Sequence, residues 1–143
     1  MEAVAYAVAA VNLVAGAAGA WLWWQVEDRR WIWPLLRAGQ AAAAVQAVVA
    51  GVAAATGFDP ADGLYWLYAL LPVAVSFVAE QLRIAAAEQV LEQRGLPDAQ
   101  AVGRLDAAGQ RSVVVAILRR ELGVLTAAAL VIAFLALRVP PTV

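Results

Sequence analysis

Four apolar segments, each long enough to cross a lipid bilayer as a helix, constrain this chain more than anything else in it. Crossing a hydrocarbon core of about 30 Å takes about 20 predominantly apolar residues. The first segment carries Asn12 as its one strongly polar residue before Trp24, and the second is interrupted by Arg37, Gln40 and Gln46. The third is uncharged from Leu64 to Ala79, and the fourth is interrupted by Arg119, Arg120 and Glu121. Hydrophobic residues make up 64% of the 143, against roughly 45–50% in a soluble domain, and the mean hydropathy is +0.76. Because lipid offers the backbone no hydrogen-bond partners, these segments must close their own bonds as helices. The predicted fold is therefore all-α, a single four-span integral membrane four-helix bundle over residues 1–143, with transmembrane helices near 3–25, 33–56, 60–94 and 107–138.

Turn chemistry sets the joints. Gly57 is a helix stop, Asp59 an N-cap, Pro60 a first helical residue, and Asp62 falls three residues after the cap. The third helix should start near Pro60 and meet no stop before Gly95 and Pro97. Pro72 has no N–H to offer the carbonyl of Tyr68, which predicts a kink near the middle of that span. Between Arg94 and Arg111 lies a loop with room for one short helix, and Asp106 is the expected N-cap of the fourth helix. Pro34 should start the second. The first segment lacks a basic stretch ahead of it and is too long for a signal's apolar core, so it is expected to persist as a helix. Small residues recur along it at helical spacing, as in Asn12, Gly16 and Ala20 or Ala15 and Gly19, and predict close helix packing within or between subunits.

Arginine distribution orients the bundle. All ten basic residues are arginine: Arg29, Arg30 and Arg37 belong to the first connection, and Arg83, Arg94, Arg104, Arg111, Arg119 and Arg120 flank or lie in the third. The second connection holds only Asp59 and Asp62, and Arg138 stands alone at the far end of the last helix. Since arginine-rich connections stay on the cytoplasmic side, the expectation is a multi-pass protein of the cell's inner (plasma) membrane. Both termini face outside (N-out/C-out), and helices 3 and 4 extend into the cytoplasm.

With neither cysteine nor histidine, disulfides, thiol nucleophiles, imidazole bases and haem held by histidine are excluded. No catalytic residue, cofactor or metal site is expected. Gln81, Glu88 and Glu92 fall within about 40° of one another on a helix, but two carboxylates and an amide are a thin oxygen set for a cation and read as a solvated face.

Ionisable groups inside a span are costly and mark the place to look for function. Glu80 lies sixteen residues past Leu64 and Glu121 sixteen before Leu137, a climb of about 24 Å for each. Arg37 and Gln40, one turn into the second helix, fall near the same level. Arg37, Gln40, Glu80, Arg83, Arg119, Arg120 and Glu121 are thus expected to form one layer with a formal surplus of two positive charges. Glu80 or Arg83 should pair with Arg119 or Arg120, while at least one of the consecutive Arg119, Arg120 and Glu121 must turn away. Two readings are open. The layer marks the head-group region, or its unpaired arginines bind an anionic group such as a lipid head group or small acidic metabolite.

The stretch from Trp21 to Pro34 holds Trp21, Trp23, Trp24, Trp31 and Trp33 around Glu27, Asp28, Arg29 and Arg30. Placed at the turn between the first two helices, it reads as a membrane-interface anchor, since an indole suits the head-group region. Its local charges nearly cancel.

Four-span size and outward termini are similar to those of the membrane-associated glutathione and eicosanoid enzymes called MAPEG proteins, whose arginines hold a tripeptide acid. The likeness in residues is confined to Arg37, Ala38, Gly39 and Gln40. Ala41 and Ala44 stand where that motif carries asparagine and glutamate. Three functions follow from the sequence: a non-enzymatic accessory or scaffolding protein, an oligomeric channel or transporter for a small anion or proton, or a MAPEG-like enzyme. The first asks least of these residues. Its expected partners are the lipid membrane, anionic head groups and further copies of the chain, and not nucleic acid, because the arginines are mixed with acids and lie at membrane depth.

Overall fold

Short connections return each long helix alongside the one before it. The structure, a computed structural model that describes residues 1–27 and 29–141, is 81% helical, with no strand among the described residues. It comprises α1 (Glu2–Gln25), α2 (Ile32–Ala55), α3 (Leu64–Gln93), the short α4 (Ala99–Gly103) and α5 (Ala107–Leu137). All but α4 are long and apolar enough to cross a membrane. They pack as a ring in which α1 lies between α2 and α5, and α3 between α5 and α2.

Most joints follow the local chemistry. Gly57 and Gly95 adopt the left-handed backbone, φ +83° and +68°, that ends α2 and α3. Asp98 accepts from the Ala101 N–H at 2.9 Å and Asp106 from the Gly109 N–H at 2.7 Å, capping α4 and α5. Val26, unannounced by its side chain, takes the left-handed conformation after α1 (φ 56°) and donates its N–H to the carbonyls of Leu22 and Trp23.

One joint corrects the sequence expectation. Helix α3 starts at Leu64, not near Pro60, and Asp62 rather than Asp59 meets its first turn, accepting from the Leu64 N–H at 2.9 Å. The cause is tertiary. Phe58 folds back onto the rings of Tyr65 and Trp66, with centroids 5.3 and 6.3 Å away, and the chain needs residues 59–63 to make that return. Pro34 likewise stands third in its helix rather than first, still within the turn whose N–H groups lack partners.

The interior is built from small side chains that let backbones approach. In α1, Asn12, Ala15, Gly16 and Gly19 are buried, whereas Ala20 is exposed. A Cβ on Gly16 would collide with Leu130 of α5, and one on Gly19 with Thr126. Against α2, the Asn12 Nδ2 donates to the Gly39 carbonyl at 3.0 Å and to its own Val8 carbonyl at 2.9 Å. Only a glycine at 39 leaves room for that amide.

Helical structure continues through Pro72 without a break. Gln46 of α2, fully buried, donates its Nε2 to the carbonyls of Tyr68 at 3.4 Å and Ala69 at 3.0 Å, so the acceptor stranded by the proline is met from the neighbouring helix. The outer surface is apolar: Leu13, Val48, Phe77, Val131 and Phe134 all point outward.

Candidate functional site

At the end of the bundle where α1 gives way to α2, three helices contribute a chain of alternating charges. Arg37 and Gln40 share a face of α2 because they are one turn apart, and the Arg37 Nη1 donates to the Gln40 Oε1 at 2.7 Å. The same guanidinium crosses to α3 and bonds the Glu80 Oε1, which also accepts from the Gln40 Nε2 at 3.0 Å. The second Glu80 oxygen accepts from the Arg83 Nε at 3.1 Å. Arg83 then reaches α5, with its Nη1 3.7 Å from the Glu121 Oε1.

The order is Arg37, Glu80, Arg83, Glu121, two charges of each sign. Arg83 touches both carboxylates, so Glu80 and Glu121 lie at one level, as their equal distance from the far helix ends requires. Side-chain exposure falls along the ladder from 48% at Arg37 to 15% at Glu121. Pairs this exposed contribute little individually to stability. Their effect is to fix the rotation of α2, α3 and α5 about their axes while leaving no surplus charge.

Arg119 and Arg120 stand outside this ladder, which corrects the pairing expected between them and Glu80 or Arg83 and leaves the layer's formal surplus of two positive charges on these two arginines. Successive helical residues are about 100° apart, so with Glu121 turned inward its two neighbours must diverge. Arg119 lies over Trp23 of α1, its guanidinium 4.7 Å from the ring centroid, and donates to the Trp23 carbonyl at 3.3 Å. Arg120 turns the other way, donating to the Gln89 and Gln93 side-chain oxygens on α3 at 3.3 and 2.9 Å. Neither forms an ion pair among the described residues. Sequence reasoning missed Gln89 and Gln93. The available signal was their spacing of four, which puts two amides on one edge of α3.

The tryptophans divide as well. Trp21, Trp23, Trp24 and Trp31 are exposed and Trp33 packs partly against the core; of the exposed four, Trp23 lies across the face of α5. Gly123 admits it: a Cβ there would sit 3.2 Å from the indole Nε1. Arg29 pairs with Glu27 at 3.1 Å, and Asp28, counted with the local charges above, lies outside the described residues.

Between α3 and α5 an open groove of about 800 Å³ runs along the outside of the bundle. Leu71, Ala74, Val78, Leu82, Ala127 and Val131 line it, and only at the ladder end does it turn polar, at Gln89, Arg120 and Trp23. No cluster of three or more metal-ligating side chains occurs among the described residues. Compared with protein-family models, curated proteins and solved structures, the chain matches none.

Proposed function

We propose that this chain is a multi-pass integral protein of the plasma membrane, with both termini outside. On this reading it acts without catalysis as an accessory or scaffolding protein whose cytoplasmic-side arginines contact anionic lipid or a partner. The observation that carries the reading is the division among the arginines. Arg37 and Arg83 are consumed by carboxylates, while Arg119 and Arg120 hold only neutral acceptors at the same end of the bundle. Guanidinium without a counter-charge is suited to phosphate or carboxylate supplied from outside. In this placement the five clustered tryptophans anchor the same level at the interface.

The other two functions are less well served. A conducting path needs polar lining, yet the groove is apolar and opens sideways. An enzyme resembling the MAPEG proteins would need Arg37 available for an acidic substrate, and Arg37 is already engaged by Glu80 and Gln40.

Mass spectrometry of the purified protein tests the reading. The double variant R119Q/R120Q is expected to lose most of the anionic lipid or partner that co-purifies with wild type, and equal occupancy in the two overturns the assignment. Reconstituted vesicles are expected to be silent to proton and small-anion flux; specific flux would establish transport instead.

A further inference from the structure

Resting on the membrane placement just proposed, we infer that the α3–α5 groove seats an acyl chain of one anionic glycerophospholipid, whose phosphate is held by Arg120.

The shape comes first. Ala74 on α3 and Ala127 on α5 both line the groove, and their short side chains leave room in it between two helices that pack along their length. The trough opens laterally, toward lipid in the proposed placement, and not toward water. From Leu82 near its polar end to Leu71 at its apolar end is eleven residues of α3, about 16 Å along a helix. That is close to half of a hydrocarbon core of about 30 Å, the depth filled by the chains of one leaflet.

Polarity then selects the occupant. An apolar trough gains little by exchanging one lipid tail for another, because tails are as apolar as its leucines. Selectivity must come from the head. There Arg120 spends two of its nitrogens on neutral amides, and a guanidinium has five N–H groups in a planar fork matched to phosphate oxygens. Beside it, the Trp23 indole N–H lies against Gly123, donates to no group among the described residues, and borders the same groove. One cation and a second donor at the head of an apolar slot match one phosphate above an acyl chain. A second copy of the chain docking here would fill the slot but leave Arg120 without a counter-charge.

The test reconstitutes the full chain in vesicles of equimolar phosphatidylglycerol and phosphatidylcholine, extracts it gently, and counts retained lipids by native mass spectrometry. Wild type is expected to keep one phosphatidylglycerol per chain, preferred over phosphatidylcholine by roughly tenfold, the scale of one charge-assisted hydrogen bond. R120Q should lower that preference to near one, and R120K, which keeps the charge but not the fork, should retain part of it. Ala127→Phe, an exposed position where a ring fills the slot without disturbing the core, should lose the retained lipid of either kind. Loss of preference in R120Q with full retention in Ala127→Phe overturns the groove and leaves intact the broader reading that the arginines meet anionic lipid. Absence of any preference in wild type, or a lipid-free dimer that Ala127→Phe dissociates, overturns the inference outright.

Discussion

Pro72 and Gln46 lie on different helices and complete one hydrogen-bonding problem between them. A proline inside a helix strands the carbonyl four residues back, here Tyr68, and in an apolar surrounding that oxygen has no water to turn to. Gln46, among alanines and valines, brings the missing N–H from α2 and binds the Ala69 carbonyl with it. Interhelical hydrogen bonds of this kind contribute about 1 kcal/mol in membranes, so Q46L is expected to lower the melting temperature by roughly 3 °C. Restoring the N–H on α3 should make the glutamine redundant: in a P72A background, Q46L should cost much less than in wild type. A thermal-unfolding double-mutant cycle in detergent measures this coupling, and strictly additive effects would show that Gln46 does not serve the proline. Asn12 makes the analogous bond from α1 to the Gly39 carbonyl, but there the demand comes from the close helix crossing and not from a proline.

At the scale of elements, the packing of α1 on α5 rests on what is missing from α1. Gly19 sits against Thr126 so closely that an added methyl would meet the threonine hydroxyl and both its carbons. Overpacking of this sort costs about 1–3 kcal/mol. G19A should therefore destabilise the detergent-solubilised protein by that amount, and T126A, which removes two of the three atoms in the way, should recover most of it. Failure of T126A to rescue would mean that α1 and α5 separate more easily than their fit implies. The small-residue spacing was readable in the sequence from helical periodicity, which picked out Asn12, Gly16 and Ala20 or Ala15 and Gly19; Ala20 alone of these falls outside the packed stripe. Helix ends were readable where a single residue decides them, as at Gly57, Gly95 and Asp106. The start of α3 was not, because Phe58 is held by rings beyond it in the chain. Counting along helices predicted the common depth of Glu80 and Glu121. The 100° step between neighbours required at least one of Arg119, Arg120 and Glu121 to turn away but not which, so the divergence of Arg119 toward Trp23 and of Arg120 toward Gln89 and Gln93 had to come from three dimensions.

For the whole molecule, two features support the proposal that this end of the bundle faces the cytoplasm. One is the arginine count, nine of ten toward the first and third connections, which membrane insertion reads as the retained side. The other is the ladder from Arg37 to Glu121, which ties α2, α3 and α5 together at that end, while the opposite end closes on the apolar cluster of Ala50, Tyr65 and Ala69. Charged ties suit a hydrated head-group region, and an aromatic and alanine seal needs no charge to be retained. Because the natural chain has no cysteine, introduced thiols report without background. Asp62→Cys, in the exposed connection between α2 and α3, should be labelled in intact cells by a membrane-impermeant maleimide. Arg104→Cys, exposed between α4 and α5, should be labelled only after the membrane is permeabilised. The reverse pattern would put Arg119, Arg120 and the polar end of the α3–α5 groove in the outer leaflet. The lipid that meets them would then have to be sought there.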